Sequence, residues 1–464
     1  MLFKKDVLFD FHIQLGYIVK YLNNTSPMDD KVRENYLKWL NNTVDQHDNT
    51  VWYYIMTSLE GNVVQILQYL LHHKLLDPNL ENASNNDGTF TTPLNAAARA
   101  GKYEIVLLLC SYVNRDKKDE YDKTPLTFAI KYGHTNIVEF LLGGDEVNVN
   151  NKDNYGNTPL HYAVKYNRIE IVKMLIEHDN IKVDRKNNAG KTPLGLALIT
   201  YNQNIFDILI SKVDLTIVNS RKKTPLHIAT KLGSSGHAHY EMMYFIQKLL
   251  AQRANVHAQD EDGETPLHDA TKRNEGAVMK MLLEAGAPVD VQNGSGNTPL
   301  HIAIGIHNTK NAELLIAKNT NVNTINEKGE TPLHTAVGHR NAVIVKLLLM
   351  KSAQPDAKNA DDRTSLEMIT VDNGHCSGGT VQEKYSITEM LLRCNCDTGF
   401  LTVQLLETLD ENMKLLFKNH YITLIRENPG MNWLPREIFE RIIDSIMSVD
   451  IYNYLCIADV LFPK

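Results

Sequence analysis

Asp153-Asn154-Tyr155-Gly156-Asn157-Thr158-Pro159-Leu160-His161-Tyr162-Ala163, followed by Ile169, Ile171, Val172, Leu175 and Ile176, decides the fold. Proline fixes φ near −65° and suits the first turn of a helix, and the threonine before it can cap that helix end. Leu160 and Ala163 then point inward, where small and medium side chains let two helices approach. The isoleucine, valine and leucine positions that follow repeat at helical spacing. The polar stretch Asp153–Asn157 reads as a tight hairpin ahead of the pair. One such unit leaves an apolar face bare, so it must stack on copies of itself.

The copies are there. Thr-Pro-Leu recurs at Thr92, Thr124, Thr158, Thr192, Thr224, Thr265, Thr298 and Thr331, and Thr364-Ser365-Leu366 is a degenerate ninth. Their spacings are 32, 34, 34, 32, 41, 33, 33 and 33 residues. The full Thr-Pro-Leu-His-x-Ala stands at Thr158–Ala163, Thr224–Ala229, Thr298–Ala303 and Thr331–Ala336. Thr265–Ala270 keeps the frame with Asp269 inside it. Period and signature together resemble the ankyrin repeat. The resemblance implies an all-α solenoid of helix pairs with short β-hairpin loops, and a protein-binding role.

Upstream, Val51–Leu71 reads as a degenerate first repeat, and a polar insert, Glu81–Gly88, separates it from the next. The expected array runs over 49–396, with about ten repeats. Residues 1–48 carry two expected helices, Phe11–Leu22 and Asp29–Val44, as an N-terminal cap. The 41-residue spacing places an insertion near Gly233–Met243, and the last repeat carries another near Asn373–Gln382. Such insertions are partner contacts or tolerated loops, and the sequence leaves both open.

The period ends near residue 396, and 397–464 reads as a separate helical module. Within it, Leu434-Pro435-Arg436-Glu437-Ile438-Phe439 continues through Ile442, Ile443, Ile446 and Met447. That is an amphipathic helix with proline at its first position. The segment resembles the start of an F-box, in a shortened form. Ankyrin repeats followed by such a segment resemble the PRANC proteins of poxviruses, parasitoid wasps and endosymbionts. The resemblance implies that Leu434, Pro435, Glu437, Ile438, Ile442 and Ile446 contact the Skp adaptor of a cullin-based SCF ubiquitin ligase. It also implies a host-modulating effector in the cytoplasm of a eukaryotic cell, with the nucleus as the alternative. The plain alternative for the segment is a helix that caps the last repeat.

Composition bounds the rest. The chain has 464 residues, a net charge of −7 and a pI of about 6.2, so no global basic bias points to nucleic acid or anionic lipid. No apolar run approaches the roughly 20 residues a membrane span needs, and the charged N-terminus does not read as a signal peptide. Five scattered cysteines fit a reducing compartment, so an intracellular monomer is expected. No cofactor or metal is expected. Cys394 and Cys396, with His375 and Cys376, are spaced more tightly than a structural zinc site prefers. Gly190-Lys191-Thr192 imitates a phosphate-binding loop, but Arg185 stands where that loop needs glycine. His161, His227, His268, His301 and His334 recur at one repeat position, which predicts a structural hydrogen bond rather than catalysis. The basic run Arg221-Lys222-Lys223 is a weak nuclear signal. No catalytic constellation is present, so the chain is not expected to be an enzyme.

In ankyrin proteins, partners usually contact the hairpin tips and the exposed side of each first helix. At those positions stand Tyr121, Lys131 and Tyr132, then Tyr155, Lys165 and Tyr166. Further on come Lys231, Lys272, Arg273, Ile306, His339 and Arg340. Two Tyr–Lys clusters with a basic continuation predict a concave face that recognises an acidic segment of a target protein. The expected function is a binding adaptor that brings this target to the ligase. The alternative is a binding-only protein that masks or retains its target.

Overall fold

The computed structural model describes residues 51–57, 63–79, 92–144, 147–232, 237–370 and 380–394, with isolated positions between 412 and 419. The expected N-terminal cap, the insertion over 371–379 and the Leu434–Met447 helix lie outside the described residues. The described residues form helices and turns without strands. Two compact units divide the chain, Met1–Arg221 and Lys222–Lys464.

In the first unit the helices are α1 (Val51–Thr57), α2 (Val63–His72), α3 (Pro93–Ala100), α4 (Tyr103–Leu109), α5 (Pro125–Tyr132) and α6 (Thr135–Leu142). They continue with α7 (Pro159–Lys165), α8 (Ile169–Glu177), α9 (Pro193–Ile199) and α10 (Gln203–Ile210). In the second they are α11 (Pro225–Thr230), α12 (His237–Ala251), α13 (Pro266–Lys272), α14 (Gly276–Glu284) and α15 (Pro299–Gly305). After these come α16 (Thr309–Ala317), α17 (Pro332–Gly338), α18 (Ala342–Met350), α19 (Ser365–Thr370) and α20 (Val381–Arg393). Odd and even helices alternate as first and second members of a pair. Within each unit, first helices pack on first helices and second on second.

Most of these helices have only two turns, too short to hold in water alone, so burial must stabilise them. Leu126, Ala129, Leu160, Ala163, Ile137, Val138, Val172 and Leu175 lose essentially all solvent contact in the first unit. Leu267, Ala270, Leu300, Ala303, Leu333, Ala336, Leu315 and Leu348 do so in the second. Each large apolar side chain contributes about 1.5–3 kcal/mol. Trp52 is fully buried and donates its indole N–H to the Asp77 carbonyl at 3.2 Å, which ties α1 to the loop after α2.

Threonine caps the first helices as its position suggests. Thr92, Thr124 and Thr192 each accept, through the side-chain oxygen, the N–H three residues on. The hairpin tips close on a residue five places before each threonine. Asp153 Oδ1 accepts the N–H groups of Tyr155 and Asn157 at 3.0 and 2.7 Å. Asp119, Asn187, Asp260, Asn293, Asn326 and Asn359 do the same in their own repeats. Tips then join one another: Asn154 N–H donates to the Tyr121 carbonyl at 3.1 Å, and Asn188 N–H to that of Tyr155 at 3.0 Å.

The inserted residues near 237–243 become helix. α12 has 15 residues, where the other second helices of the repeats around it have eight or nine. Its core residues Met242, Phe245, Ile246 and Leu249 are fully buried, while Tyr240 is 75% exposed.

Candidate protein-binding face

In the first unit, a residue in left-handed conformation (Gly101, Gly133, Asn167 or Tyr201) turns each first helix from α3 to α9 into its second. At two of these turns the residue is glycine, for a packing reason. Gly101 (φ 73°) and Gly133 (φ 83°) leave room for side chains of the following repeat, and a Cβ there would lie 2.6 Å from the His134 ring and 2.7 Å from the Arg168 guanidinium. The vacant space lets His134 Nε2 donate to the Arg99 carbonyl at 2.9 Å and Arg168 Nη2 donate to the Lys131 carbonyl at 3.0 Å. These two bonds pin the ends of α3 and α5, where the side chains of Arg99, Lys131 and Tyr132 leave the backbone.

Those side chains form a ladder. Arg99 lies 5.4 Å from the Tyr132 ring centre, and Lys131 Nζ lies 5.1 Å from the same ring. Lys131 Nζ is also 6.0 Å from the Tyr166 ring, with Lys165 Nζ 5.6 Å from it. Tyr166 stacks on Tyr162 at 6.1 Å, and Tyr162 donates its hydroxyl to buried Asp153 at 2.7 Å. Burial, then the Asp153 hydrogen bond, holds that phenol far above its ordinary range, so it stays a donor. The structure thus brings together Lys131, Tyr132, Lys165 and Tyr166, as the sequence suggested, and adds Arg99, which the sequence reading missed. Arg99 stands seven residues after Thr92, the register of Lys131 and Lys165, so the repeat frame carried the signal. Tyr121 and Tyr155 remain on the tips. Lys123 sits 4.9 Å from the Tyr121 ring, and Tyr155 is 64% exposed.

The second unit differs in charge. Lys231, in the same register, pairs with Asp269 at 3.0 Å, and Lys272 pairs with Glu264. Asp269 stands on α13 where neighbouring repeats carry Ile228 and Ile302, and it is buried. Lys223 is buried too. It bonds Asp260 and lies 3.8 Å from Asp269. The run Arg221-Lys222-Lys223 is therefore not presented as three exposed cations. Burial raises the Asp269 carboxyl above its ordinary range despite Lys223 and Lys231. Burial would also raise Asp260, but the Lys223 bond and the tip N–H groups leave it below. Arg273 is exposed, Ile306 is 41% exposed, and His339 packs edge-on against His307 at 4.7 Å. Arg340 takes the left-handed turn position, with φ 50°.

The five recurrent histidines join repeats. In each, Nδ1 accepts the N–H of the capping threonine, so Nε2 carries the proton. In the first unit, Nε2 of His161 donates to the Lys191 carbonyl at 2.9 Å. In the second, His227, His268, His301 and His334 reach the carbonyls of Glu264, Asn297, Glu330 and Arg363 at 2.9–3.1 Å. Burial lowers all five below the ordinary value of 6.5. Asn95 stands at the same position in its repeat and sends its amide to the Lys123 carbonyl at 3.3 Å.

Among the described residues, no group of three or more histidine, cysteine, aspartate or glutamate side chains is placed to hold a metal ion. Nor is any helix long and apolar enough to cross a membrane. Cys394 is exposed, while His375, Cys376 and Cys396 lie outside the described residues.

Comparison with known proteins agrees with this geometry. The family model for ankyrin repeats in three copies matches residues 112–187, 235–326 and 307–399, which together make up more than half of the chain. The chain belongs to the ankyrin-repeat family, and its repeats give it a protein-binding role. Among solved structures, it is similar to the crystal structure of the ankyrin repeat domain of Bcl-3, described as a unique member of the IkappaB protein family. That match has 25% identity and a TM-score of 0.43, over 51% of this chain and 99% of that one. No curated protein matches the sequence.

Proposed function

We propose that this protein is a binding adaptor, with an array over 49–396 that holds a target protein and a module over 397–464 that recruits an SCF-type ubiquitin ligase. The proposed N-terminal cap is 1–48. The target side rests on the concave positions Tyr121, Lys131, Tyr132, Tyr155, Lys165, Tyr166, Lys272, Arg273 and Arg340. The observation that carries the ligase side is the sequence Leu434-Pro435-x-Glu437-Ile438 with Ile442 and Ile446, after an ankyrin array. Proline at the first helical position and an apolar stripe present one face to an adaptor groove. In this reading the chain performs no catalysis. It raises the local concentration of target near the ligase. The proposed location is the cytoplasm or nucleus of a eukaryotic cell, in the service of host modulation.

Affinity purification of the tagged full chain from eukaryotic cells, beside the Leu434→Ala/Pro435→Ala/Ile438→Ala variant, tests this. Skp adaptor and cullin are expected with the parent and lost from the variant, while the target stays bound to both. If a folded, abundant parent brings down target but neither ligase component, the ligase half is wrong and the protein is a binding-only module.

A further inference from the structure

The first unit's ladder and its counterpart in the second unit occupy the same repeat register but differ in charge balance. Lys231 and Lys272 each meet a carboxylate of their own unit. Among the described residues, no carboxylate lies within ion-pair distance of Lys131 or Lys165. The contacts these two ammonium groups make are with the faces of Tyr132 and Tyr166. A ring face holds a cation in place without neutralising it. Tyr132 also keeps substantial exposure, at 37%. The result is a row of cations with their side-chain freedom already reduced, so an anion that binds them loses less ordering entropy.

We propose that Arg99, Lys131 and Lys165, aligned by Tyr132 and Tyr166, bind an extended acidic segment of the partner protein with a carboxylate at every third residue. This deepens the target-binding half of the proposed function and rests on it. The spacing follows from geometry. Packed helices lie about 8–10 Å apart, so cations in one register of successive repeats are separated by about that distance. A polyproline-II segment has three residues per turn at about 3.1 Å each, so every third side chain faces the same way roughly 9 Å further on. A β-strand turns alternate side chains away and cannot match the row with the same period. The row ends within the unit, because the next residue in register is Ile199, which is 41% exposed.

The probe is a fluorescent peptide of about four Glu-Pro-Ser triplets, measured by anisotropy against the full chain at low salt. A second peptide has the same composition with its glutamates in one block. The ordered peptide is expected to bind more tightly than the blocked one and to weaken as salt is added. Lys131→Glu/Lys165→Glu is expected to weaken it about tenfold or more. Lys280→Glu, an exposed change on α14 of the other unit and outside the proposed target-binding positions, is expected to leave it unchanged. Circular dichroism and melting check that the variants fold. Lys131→Gln/Lys165→Gln, expected to give a smaller loss, decides the matter if the charge reversal does not fold. Equal binding of the two peptides, no binding of either, or indifference to the double variant overturns the proposal. If it is overturned while the purified chain still holds a target protein, the binding reading survives with a different partner chemistry. If no target is held either, both fall.

Discussion

At the scale of single residues, the recurrent histidine does two jobs with one ring. Nδ1 accepts from the capping threonine and Nε2 donates to the next repeat, so both nitrogens are used only while the ring is neutral. Burial holds its pKa below 6.5 in the folded chain. Below that pH, the unfolded chain takes up protons that the folded chain refuses, so stability present above about pH 6.5 is lost as the pH falls. Asn95 points to a replacement that keeps the inter-repeat bond but does not titrate. His301→Asn is expected to give a shallower loss of stability between about pH 6.5 and 5, by at most about 1.4 kcal/mol per pH unit for one proton. Denaturant midpoints across that range check it, and parallel pH profiles for parent and variant would refute it.

At the scale of elements, the turn before α11, the tip before α13 and α13 itself are held by Lys223, Asp260 and Asp269. At two other joints the same tip-to-tip rung is neutral: Asn187 donates to Asn157 at 2.9 Å and Asn326 to Asn297 at 3.0 Å. Removing one member of a buried ionic group strands the others, at a cost of about 3–5 kcal/mol. Lys223→Met is expected to destabilise by about that amount at neutral pH. Asp269 is already raised by burial and would rise further without the cation. The folded variant would then bind more protons than the unfolded chain, so the deficit is expected to shrink as the pH is lowered. Lys223→Asn/Asp260→Asn/Asp269→Ile, which copies the neutral rung and the apolar position of Ile302, is expected to restore most of the loss. Chemical denaturation of the three proteins checks this, and a triple variant no more stable than Lys223→Met would show that the ionic group is not what links these elements.

At the scale of the whole molecule, repetition made the fold legible and local chemistry set the limit. The threonine frame predicted helix pairs at Thr124, Thr158 and Thr298, and the histidine position predicted a structural hydrogen bond, whose partner in the next repeat only the stacked helices reveal. The tip residue five places before each threonine, Asp153 or Asn293 for example, was equally regular but easily overlooked, because aspartate and asparagine are common in loops. The ladder was half legible. Tyr132 and Lys131 stand side by side in sequence, but Arg99 joins them only when α3 stacks on α5. The pairing of Lys231 with Asp269 spans a repeat that also contains an insertion, so no fixed offset announced it.

The same one-dimensional order governs how damage spreads. Leu300 on α15 is fully buried between first helices, and Leu300→Ala is expected to cost about 2–5 kcal/mol. In a globular core that loss is shared by every element, because all unfold together. In a stack, each pair is held by itself and its two neighbours. Amide hydrogen exchange should therefore accelerate most in α15 and α16, next in α13, α14, α17 and α18, and least in α19 and α20 of the same unit. Proportional acceleration across all of these helices would mean that the second unit opens as one cooperative block, and that stability here is not a sum over neighbours.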